Sequence, residues 1–486
     1  MIPLPHMMAQ EAMATDAPPL VPLPAENGLI PPAPSLEPER AIEMLHGYLP
    51  VFIVAFVVTL LATPLMRLAA VRFGIVDRPT ESRKGHGVPV AYLGGVAVFL
   101  GVMMAIAFSY VASGAWFAGI EGRINPQFEF LAFHTSKRDQ VPVNFVILLG
   151  MTVIMLTGLI DDVGGLAPRI KIGGQLLAAA ALAMQDIGTK VAAGVLRPIG
   201  SLLGNEDMIF HVPLPDWTPF TLGPPTLGPN IEIDIIYWTG VAIIALFVLG
   251  ACNASNLVDG LDGLLSGVTA ISAAGLLVIA LWLAQRDDGQ HDGARIILCL
   301  AVMGACLGFL PHNFNPATIF LGDAGSLLLG YLVIVIVLML GDTGQTHLVV
   351  AGLIIYAVPI IDTALAMVRR ALAGKPMSSA DDQHLHHILK RSLGVKGAAL
   401  ATYGIAAVFA ALGVWLSMGR VRVVFSIALV IAAFIGVSAV KAARRQLLEA
   451  QALSAAGAGS PRPSRPPPAS QQSAKRQPGP GAPTPV

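Results

Sequence analysis

Charged residues are scarce in this chain of 486 residues, and that scarcity excludes a soluble globular protein. Only 12% of the residues are Asp, Glu, Lys or Arg, whereas 55% are hydrophobic and the mean hydropathy is +0.70. An average soluble domain has roughly 25% charged residues. Basic and acidic residues balance at 30 each, so the net charge gives no sign of a nucleic-acid partner, and none is expected. The composition therefore predicts a protein that lies in a lipid bilayer.

Cysteine is nearly absent, which excludes a disulfide framework and a cysteine-based metal site. The cysteines are Cys252, Cys299 and Cys306, an odd number, and all lie inside apolar runs. Their spacing matches no metal-binding or disulfide pattern. Each is therefore predicted to be a small buried hydrophobic residue.

Long hydrophobic runs, by contrast, are abundant. A helix needs ~20 mostly apolar residues to cross a bilayer, and eleven runs meet or approach that length. They are Gly47–Ala70, Leu93–Val111, Val143–Ile160, Ile172–Met184, Ile235–Ala251, Leu264–Ala284, Ala294–Leu310, Ser326–Leu340, Leu348–Val368, Ala398–Ser417 and Val421–Val440. The predicted fold class is thus an all-α polytopic membrane protein with about eleven transmembrane helices, of which the fourth is short and rich in Gly and Ala.

Composition divides the chain into three parts. Residues 1–45 are rich in proline and have no basic segment followed by an apolar one, so we expect a disordered extension and not a signal peptide. Residues 46–441 form the predicted transmembrane domain, and residues 442–486 a disordered basic and Pro-rich tail. The outer loop Asp186–Asp234 contains short alternating segments that fit a β-hairpin.

Lysine and arginine are concentrated in the loops that follow the odd-numbered runs and at the end of the last run. Short cytoplasmic loops carry an excess of these residues in membrane proteins. The distribution therefore predicts a multi-pass protein of the cell membrane, with these loops and the C-terminus in the cytoplasm.

Two adjacent carboxylates, Asp161 and Asp162, stand at the end of the third apolar run. Acids at a helix C-terminus oppose the helix dipole, and acids at bilayer depth are costly unless a cation or a proton offsets them. A divalent cation is the natural partner, with Arg169 and Lys171 nearby to contact phosphate. The alternative is a solvated pair of charges at a helix end.

The next inner loop holds Asn253, Asn256, Asp259 and Asp262 at intervals of three residues. On a helix, that spacing would place the four side chains close to one face. Two carboxamides and two carboxylates without a basic residue nearby indicate hard-oxygen ligands for a cation, or hydrogen-bond partners for a polar substrate. Polar contacts between helices are the alternative.

Asp323 and a histidine cluster mark the two following inner loops. Asp323 stands between glycines where the eighth apolar run resumes, so it is either a helix cap or a metal ligand. His384, His386 and His387 lie beside basic residues. Because no cysteine accompanies them, these histidines fit a diphosphate better than zinc, and a casual surface cluster is the alternative.

The first inner loop reads RKGHGVPVAYLGG and supplies Lys84 and His86 as donors for phosphate, unless it only anchors the protein at the cytoplasmic face. All five inner loops thus bring acids, amides and bases to one face of the membrane. Mg²⁺ with an anionic diphosphate substrate explains this mixture, because acids hold the metal while metal and bases hold the phosphates.

In their order along the chain, these motifs resemble the polyprenyl-phosphate N-acetylhexosamine-1-phosphate transferases. The matching segments are RKGHGVP, GLIDDVGGL, NASNLVDGLDGL, IFLGDAGSLLLG and DDQHLHHILKR, and the resemblance covers about residues 45–441. It implies a multi-span helical enzyme with a cytoplasmic active site. Such an enzyme moves a sugar-1-phosphate from a UDP-N-acetyl-sugar to undecaprenyl phosphate, releases UMP and requires Mg²⁺.

The resemblance also implies roles for the acids and amides. The aspartate pair of the third run matches a pair assigned to lipid-phosphate activation or metal contact. Asn256, Asp259 and Asp262 match the nucleotide and metal region, and Asp323 matches the principal metal ligand. We expect Asn256 and Asp323 to hold the metal, Asp259 and Asp262 to belong to the catalytic group, and one of the paired aspartates to orient or deprotonate the acceptor.

The histidine motif matches one that lies near the diphosphate in this family. Its HLHH form resembles the branch that uses UDP-N-acetylglucosamine, which is therefore the predicted donor. Asp382, where relatives usually have Lys or Arg, and Ala91-Tyr92, in place of a common Pro-Arg, depart from the pattern and leave other UDP-N-acetyl-sugars open, UDP-MurNAc-pentapeptide among them. A polytopic transporter is the alternative of a different class, but it would place ionisable groups along a path near the bilayer midplane.

Overall fold

The computed structural model describes residues 38–77, 89–112, 142–213, 230–286, 291–372, 374, 384–431 and six single positions between 433 and 448. Lys84, His86 and Asp382 lie outside these residues. Most of the predicted N-terminal extension and of the predicted C-terminal tail does so as well.

The described residues form thirteen α-helices and two short antiparallel strand pairs. The helices are α1 Pro38–Phe73, α2 Gly94–Ala112, α3 Phe145–Gly164, α4 Pro168–Ala183, α5 Ala193–Leu202, α6 Ile235–Val258, α7 Leu264–Ala284, α8 Asp292–Asn313, α9 Gly322–Met339, α10 Thr346–Ile355, α11 Ala357–Leu372, α12 Leu385–Ser417 and α13 Val421–Ile431. The strand pairs are β1 Val76–Asp77 with β2 Val90–Ala91, and β3 Ile209–Pro213 with β4 Asn230–Asp234.

The all-α polytopic class is confirmed. Eight of the described helices are long and apolar enough to cross a membrane, and α10 with α11 forms a pair bent by 82°, which is either a ninth, broken span or a re-entrant loop. The predicted count of eleven is not confirmed, because the fourth run folds as the 16-residue α4 and the last run is described as a continuous helix only over Val421–Ile431. All eleven apolar runs nevertheless contain helix.

The first helix begins earlier than the predicted boundary between the N-terminal extension and the transmembrane domain. Helix α1 begins at Pro38, so residues 38–45, which were expected in the disordered extension, are helical. The predicted β-hairpin of the long outer loop is present as β3 and β4, with Ile209 paired to Asp234 and Pro213 to Asn230.

Helices α7, α8 and α9 form the centre of the described bundle. Most of their side chains are buried, whereas α1, α3 and α6 leave large apolar side chains exposed on one side. A helix that is apolar all round belongs in the interior of a membrane protein, and the exposed apolar faces of the others suit lipid. The N-terminus of α9, where Asp323 lies, is therefore held from several sides.

Helix α2 docks directly against the start of α9. The backbone N–H groups of Gly94 and Gly95 donate to the carbonyl oxygens of Phe320 and Leu321 at 3.0 and 2.8 Å. A Cβ on Gly95 would lie 2.1 Å from the backbone nitrogen of Gly325, so only glycine permits this approach. The contact fixes the loop that leads into Asp323.

Candidate active site

A cavity of about 370 Å³ opens where α6 and α8 end and where α9 and α12 begin. Five of the predicted site residues line it, although they come from three separate segments: Asn256, Asp259, Asp262, Asp323 and His387. Tyr92, Asn313, Asn315 and Lys390 also line it and were not predicted as site residues. The cavity thus gathers acids, amides and a lysine at one end of the helix bundle.

Asp323 lies in the first turn of α9 and is held from two sides. Its Oδ1 accepts a hydrogen bond from Asn256 Nδ2 at 2.6 Å, and its Oδ2 accepts one from Lys171 Nζ. Lys171 Nζ also donates to Asp161 Oδ2 at 2.8 Å. The ammonium of Lys171 therefore bridges two carboxylates from different helices and offsets their like charges.

The two adjacent aspartates of α3 have different surroundings. Asp161 faces Lys171, whereas Asp162 reaches the N-terminus of α9. There its Oδ1 and Oδ2 accept hydrogen bonds from the backbone N–H groups of Asp323 and Ala324 at 2.8 and 3.0 Å. The first N–H groups of a helix have no partner within the helix and favour an anion, so Asp162 caps α9 and ties α3 to it. Neighbouring Arg169, on the first turn of α4, is exposed.

The expectation that four polar residues share one helix face is wrong, because α6 ends at Val258. Asp259 and Asp262 lie in the turn that follows the helix. Asp262 Oδ2 accepts hydrogen bonds from Asn315 Nδ2 at 2.7 Å and from the backbone N–H of Ala317 at 3.0 Å. This aspartate therefore joins the end of α6 to the loop between α8 and α9, and only the turn brings it to the cavity.

Asn253, the first of the four, points elsewhere. Its Nδ2 donates to Gln175 Oε1 of α4 at 2.9 Å and to the carbonyl oxygen of Leu249 at 2.8 Å. It is not among the described residues that line the cavity. In this structure Asn253 makes the inter-helix polar contact that was the alternative interpretation, one turn of α6 away from Asn256.

The electrostatics of the cavity favour a cation. Burial, and then the charges of Asp323, Asp162 and Asp262, raise the pKa of the Asp259 carboxyl well above its usual value. Burial and the nearby carboxylate of Asp77 likewise raise the pKa of the Tyr92 phenol. Burial is the largest cause of both shifts, and the further contribution of the neighbouring carboxylates is one that a bound cation would offset.

The three histidines form one cluster at the start of α12. The ring centroids of His384 and His386 lie 5.4 Å apart with nearly parallel planes, and those of His386 and His387 lie 4.3 Å apart. Behind them is Asp362 of α11, whose Oδ2 accepts from His384 Nδ1 at 3.1 Å. Asp362 was not among the predicted site residues, although an acid inside the apolar run Leu348–Val368 is a signal of functional importance.

Fold and cavity together define the class: a membrane-spanning α-helical protein with an acid- and amide-rich cavity at one end, suited to a cation and a phosphorylated ligand. Residues 144–341 match the model of glycosyl transferase family 4. The chain is 30% identical over 342 residues to the probable undecaprenyl-phosphate N-acetylglucosaminyl 1-phosphate transferase of Bacillus subtilis (strain 168), a match that covers 70% of this chain and 76% of that protein. The chain belongs to glycosyl transferase family 4, which confirms the resemblance drawn from the motifs.

Two further relatives are named for different sugar donors. The decaprenyl-phosphate N-acetylglucosaminephosphotransferase of Mycolicibacterium smegmatis is 31% identical over 414 residues, with 78% of this chain and 85% of that protein covered. A phospho-N-acetylmuramoyl-pentapeptide-transferase of Geobacillus kaustophilus is 32% identical over 298 residues, with 60% and 73% covered. Both kinds of donor branch are thus represented among the relatives.

Proposed function

We propose that this protein transfers N-acetylglucosamine 1-phosphate from UDP-N-acetylglucosamine to undecaprenyl phosphate and releases UMP. The reaction would be a first membrane step of cell-envelope polysaccharide synthesis, at the cytoplasmic face of the cell membrane. The observation that carries the proposal is the cavity, which collects residues from three of the motifs shared with the family. The names of the Bacillus and Mycolicibacterium relatives support this donor and a polyprenyl acceptor.

The chemistry is a single displacement at phosphorus. A phosphate oxygen of the lipid attacks the β-phosphorus of the UDP-sugar, and the bond from that phosphorus to the bridging oxygen breaks. The bridging oxygen leaves on UMP with the electron pair. A phosphomonoester has a second pKa near ~6, so the acceptor is largely dianionic at neutral pH. Positioning and neutralisation of charge should therefore supply most of the acceleration.

The contacts of the aspartate pair support a division of labour. Both carboxylate oxygens of Asp162 are engaged by the N-terminus of α9, so Asp162 would hold Asp323 in place. Asp161 accepts hydrogen bonds from the backbone N–H of Leu166 and from Lys171 Nζ, neither of which belongs to α9, so Asp161 would face the lipid phosphate with Lys171 as the cation between acceptor and acid. Lys171, Arg169, Lys84, His86 and the histidine cluster remain the proposed phosphate contacts.

Mg²⁺ fits the oxygen-rich donor set of the cavity. No three acid, histidine or cysteine side chains in the described part of the chain are grouped as a metal site. Mg²⁺, however, is commonly held by one or two carboxylates together with substrate phosphates and waters. Asp323 and the side-chain oxygen of Asn256 would hold the ion, with Asp259 beside them. The bound ion would neutralise charge on the diphosphate and on the departing UMP.

The test is a panel of radiolabelled UDP-sugars given to purified protein with undecaprenyl phosphate and Mg²⁺. We expect label from UDP-N-acetylglucosamine to enter the lipid with stoichiometric release of UMP. Label from UDP-MurNAc-pentapeptide or another sugar alone would refute the proposed donor. Failure of every donor to label lipid or release UMP would refute the transferase reaction and favour the transporter alternative.

The site assignment has its own prediction. Asp323→Asn and Asp162→Asn are each expected to lower the transfer rate by on the order of a hundredfold or more. The first variant loses a positioned charge that would hold the metal, and the second loses the carboxylate that holds Asp323 in place. Asp207→Asn makes the same chemical change on an exposed outer-loop acid and is the control. Initial rates of UMP release decide the matter, and near-normal turnover in both cavity variants would contradict the assignment.

A further inference from the structure

Asp362 is a buried acid that the proposed reaction does not yet use. It lies on α11, and only 3% of its surface is exposed. Its Oδ1 accepts a hydrogen bond from the backbone N–H of Leu385 at 2.9 Å, and its Oδ2 accepts one from His384 Nδ1 at 3.1 Å. One carboxylate thus holds both the backbone and a side chain at the first turn of α12.

The same carboxylate lies behind a second imidazole. Nδ1 of His386 is 3.7 Å from Asp362 Oδ2, is buried and has no hydrogen-bond partner of its own. The opposite nitrogen, Nε2, is packed so closely against Gly260 that a Cβ there would lie 2.6 Å from it. Gly260 lines the cavity, so the buried ring of His386 lies between Asp362 and the residue that forms the cavity wall, while the neighbouring His387 lines the cavity itself.

A carboxylate at Nδ1 determines where the proton of an imidazole resides. It stabilises the Nδ1–H form and fixes the ring plane, so Nε2 is directed away from the acid. If an anionic ligand draws a second N–H to Nε2, the carboxylate also offsets the positive charge of the imidazolium. The nearly parallel rings of His384 and His386 show that both side chains are held in one orientation.

We propose that Asp362 is a positioning residue for the histidine cluster. Its hydrogen bond fixes the Nδ1–H form of His384, its charge favours the same form in His386, and together these hold His387, which lines the cavity, against the diphosphate of the donor. The identity of that ligand rests on the proposed function. The hydrogen bonds that hold the cluster in place do not depend on the ligand.

The primary experiment reads the proton position directly. Side-chain ¹⁵N spectra of histidine-labelled protein, assigned with His384→Gln and His386→Gln variants, should show both residues protonated at Nδ1 in the wild type. Asp362→Asn should remove or invert that signature for at least one of them, because the amide offers both a donor and an acceptor. A wild-type spectrum in which both histidines carry the proton only at Nε2 would overturn the proposal, whether or not the variant folds.

The second experiment measures ligand affinity by calorimetry with UDP-N-acetylglucosamine and with UMP. Asp362→Asn is expected to weaken UDP-N-acetylglucosamine binding by about tenfold, the effect of losing a hydrogen bond to a charged group, and to weaken UMP binding less. Thr363→Val changes the neighbouring buried side chain, whose hydroxyl has no partner in this structure, and should leave both the affinities and the ¹⁵N spectrum unchanged.

The two experiments separate the failure of this proposal from failure of the proposed function. Wild-type protein that binds neither nucleotide would refute the function, while the ¹⁵N spectrum would still decide the role of Asp362. Conversely, normal affinity and an unchanged histidine spectrum in Asp362→Asn would refute the positioning role in a working transferase. Equal losses in Asp362→Asn and Thr363→Val would reduce Asp362 to a structural residue and also refute it.

Discussion

Gly322 combines a positive φ with a close contact to a carboxylate of the site. Its φ of +71° lies in the left-handed region, and a Cβ added there would lie 2.6 Å from Asp162 Oδ2. The residue immediately precedes Asp323. A side chain at position 322 would therefore disturb both the backbone that starts α9 and the carboxylate that caps it.

This geometry yields a prediction with a matched control. Gly322→Ala and Gly204→Ala both place alanine at a positive φ, which costs roughly 1–2 kcal/mol each. Gly204, however, has no atom within 4 Å of an added Cβ. We expect similar losses in thermal stability but a large loss of transfer rate only in Gly322→Ala, measured by thermal unfolding and UMP release. Equal activity in the two variants would contradict the capping role of Asp162.

At the scale of single residues, the kind of chemistry could be predicted from the sequence, but the contacts between the side chains could not. Acids at the membrane surface predicted a cation beside them. The spacing of residues along the sequence, however, did not show that Lys171 would bridge Asp161 and Asp323. Regular intervals of three suggested one helix face for Asn253 and Asp262, yet the helix ends between them. Where a helix ends depends on partners such as Asn315 that are distant in sequence.

Among the elements, α9 organises the site through its N-terminal turn. Helix α3 reaches it through the side chain of Asp162, α6 through Asn256, and α2 through backbone hydrogen bonds from Gly94 and Gly95. Helix α4 contributes the hydrogen bond from Lys171, so Asp323 depends on four helices besides its own. A small displacement of any of them would move this carboxylate relative to the cavity.

The close contact between α2 and α9 predicts that a side chain at Gly95 would inactivate the protein. Gly95→Ala is expected to abolish most activity, because the new methyl group would overlap the backbone of Gly325 and force the helices apart. Gly250→Ala, on α6 in open space, should keep activity and stability, since alanine favours a helix over glycine by roughly 1 kcal/mol. Activity and unfolding of both variants in detergent provide the check. Full activity of Gly95→Ala would show that the helices tolerate separation.

Apolar runs predicted the helices well and their shapes poorly. Every predicted run contains helix, because an apolar segment in lipid must satisfy its own backbone hydrogen bonds. Hydropathy does not record bends, so the run Leu348–Val368 gave no sign of the 82° angle between α10 and α11. That angle places Asp362 behind the histidine cluster, which explains why this acid was missed.

For the molecule as a whole, buried charge is found towards both ends of the central helices. The cavity lies at the start of α9, while near the start of α8 and the end of α9 His291 is hydrogen-bonded to Asp342 and Asp292 is ion-paired with Arg295. The second group does not line the described cavity. His291 joins the start of α8 to Asp342 after α9, and Asp292 with Arg295 is a pair within the first turn of α8, so both have structural roles that require no ligand.

The bridge made by Lys171 bears on how the protein tolerates loss of divalent ions. With an ammonium already between Asp161 and Asp323, the folded state does not depend on a metal to relieve their repulsion. EDTA is therefore expected to stop transfer while leaving the midpoint of thermal unfolding unchanged. In Lys171→Met the midpoint should fall by several degrees in EDTA and recover with Mg²⁺, whereas Lys190→Met, at an exposed lysine away from the cavity, should behave as wild type.

A wild-type midpoint that falls in EDTA would contradict this view. If it holds, the resting enzyme can be purified, stored and reconstituted free of metal without unfolding, and its fold is kept intact by a lysine through every interval in which the nucleotide and its ion are absent.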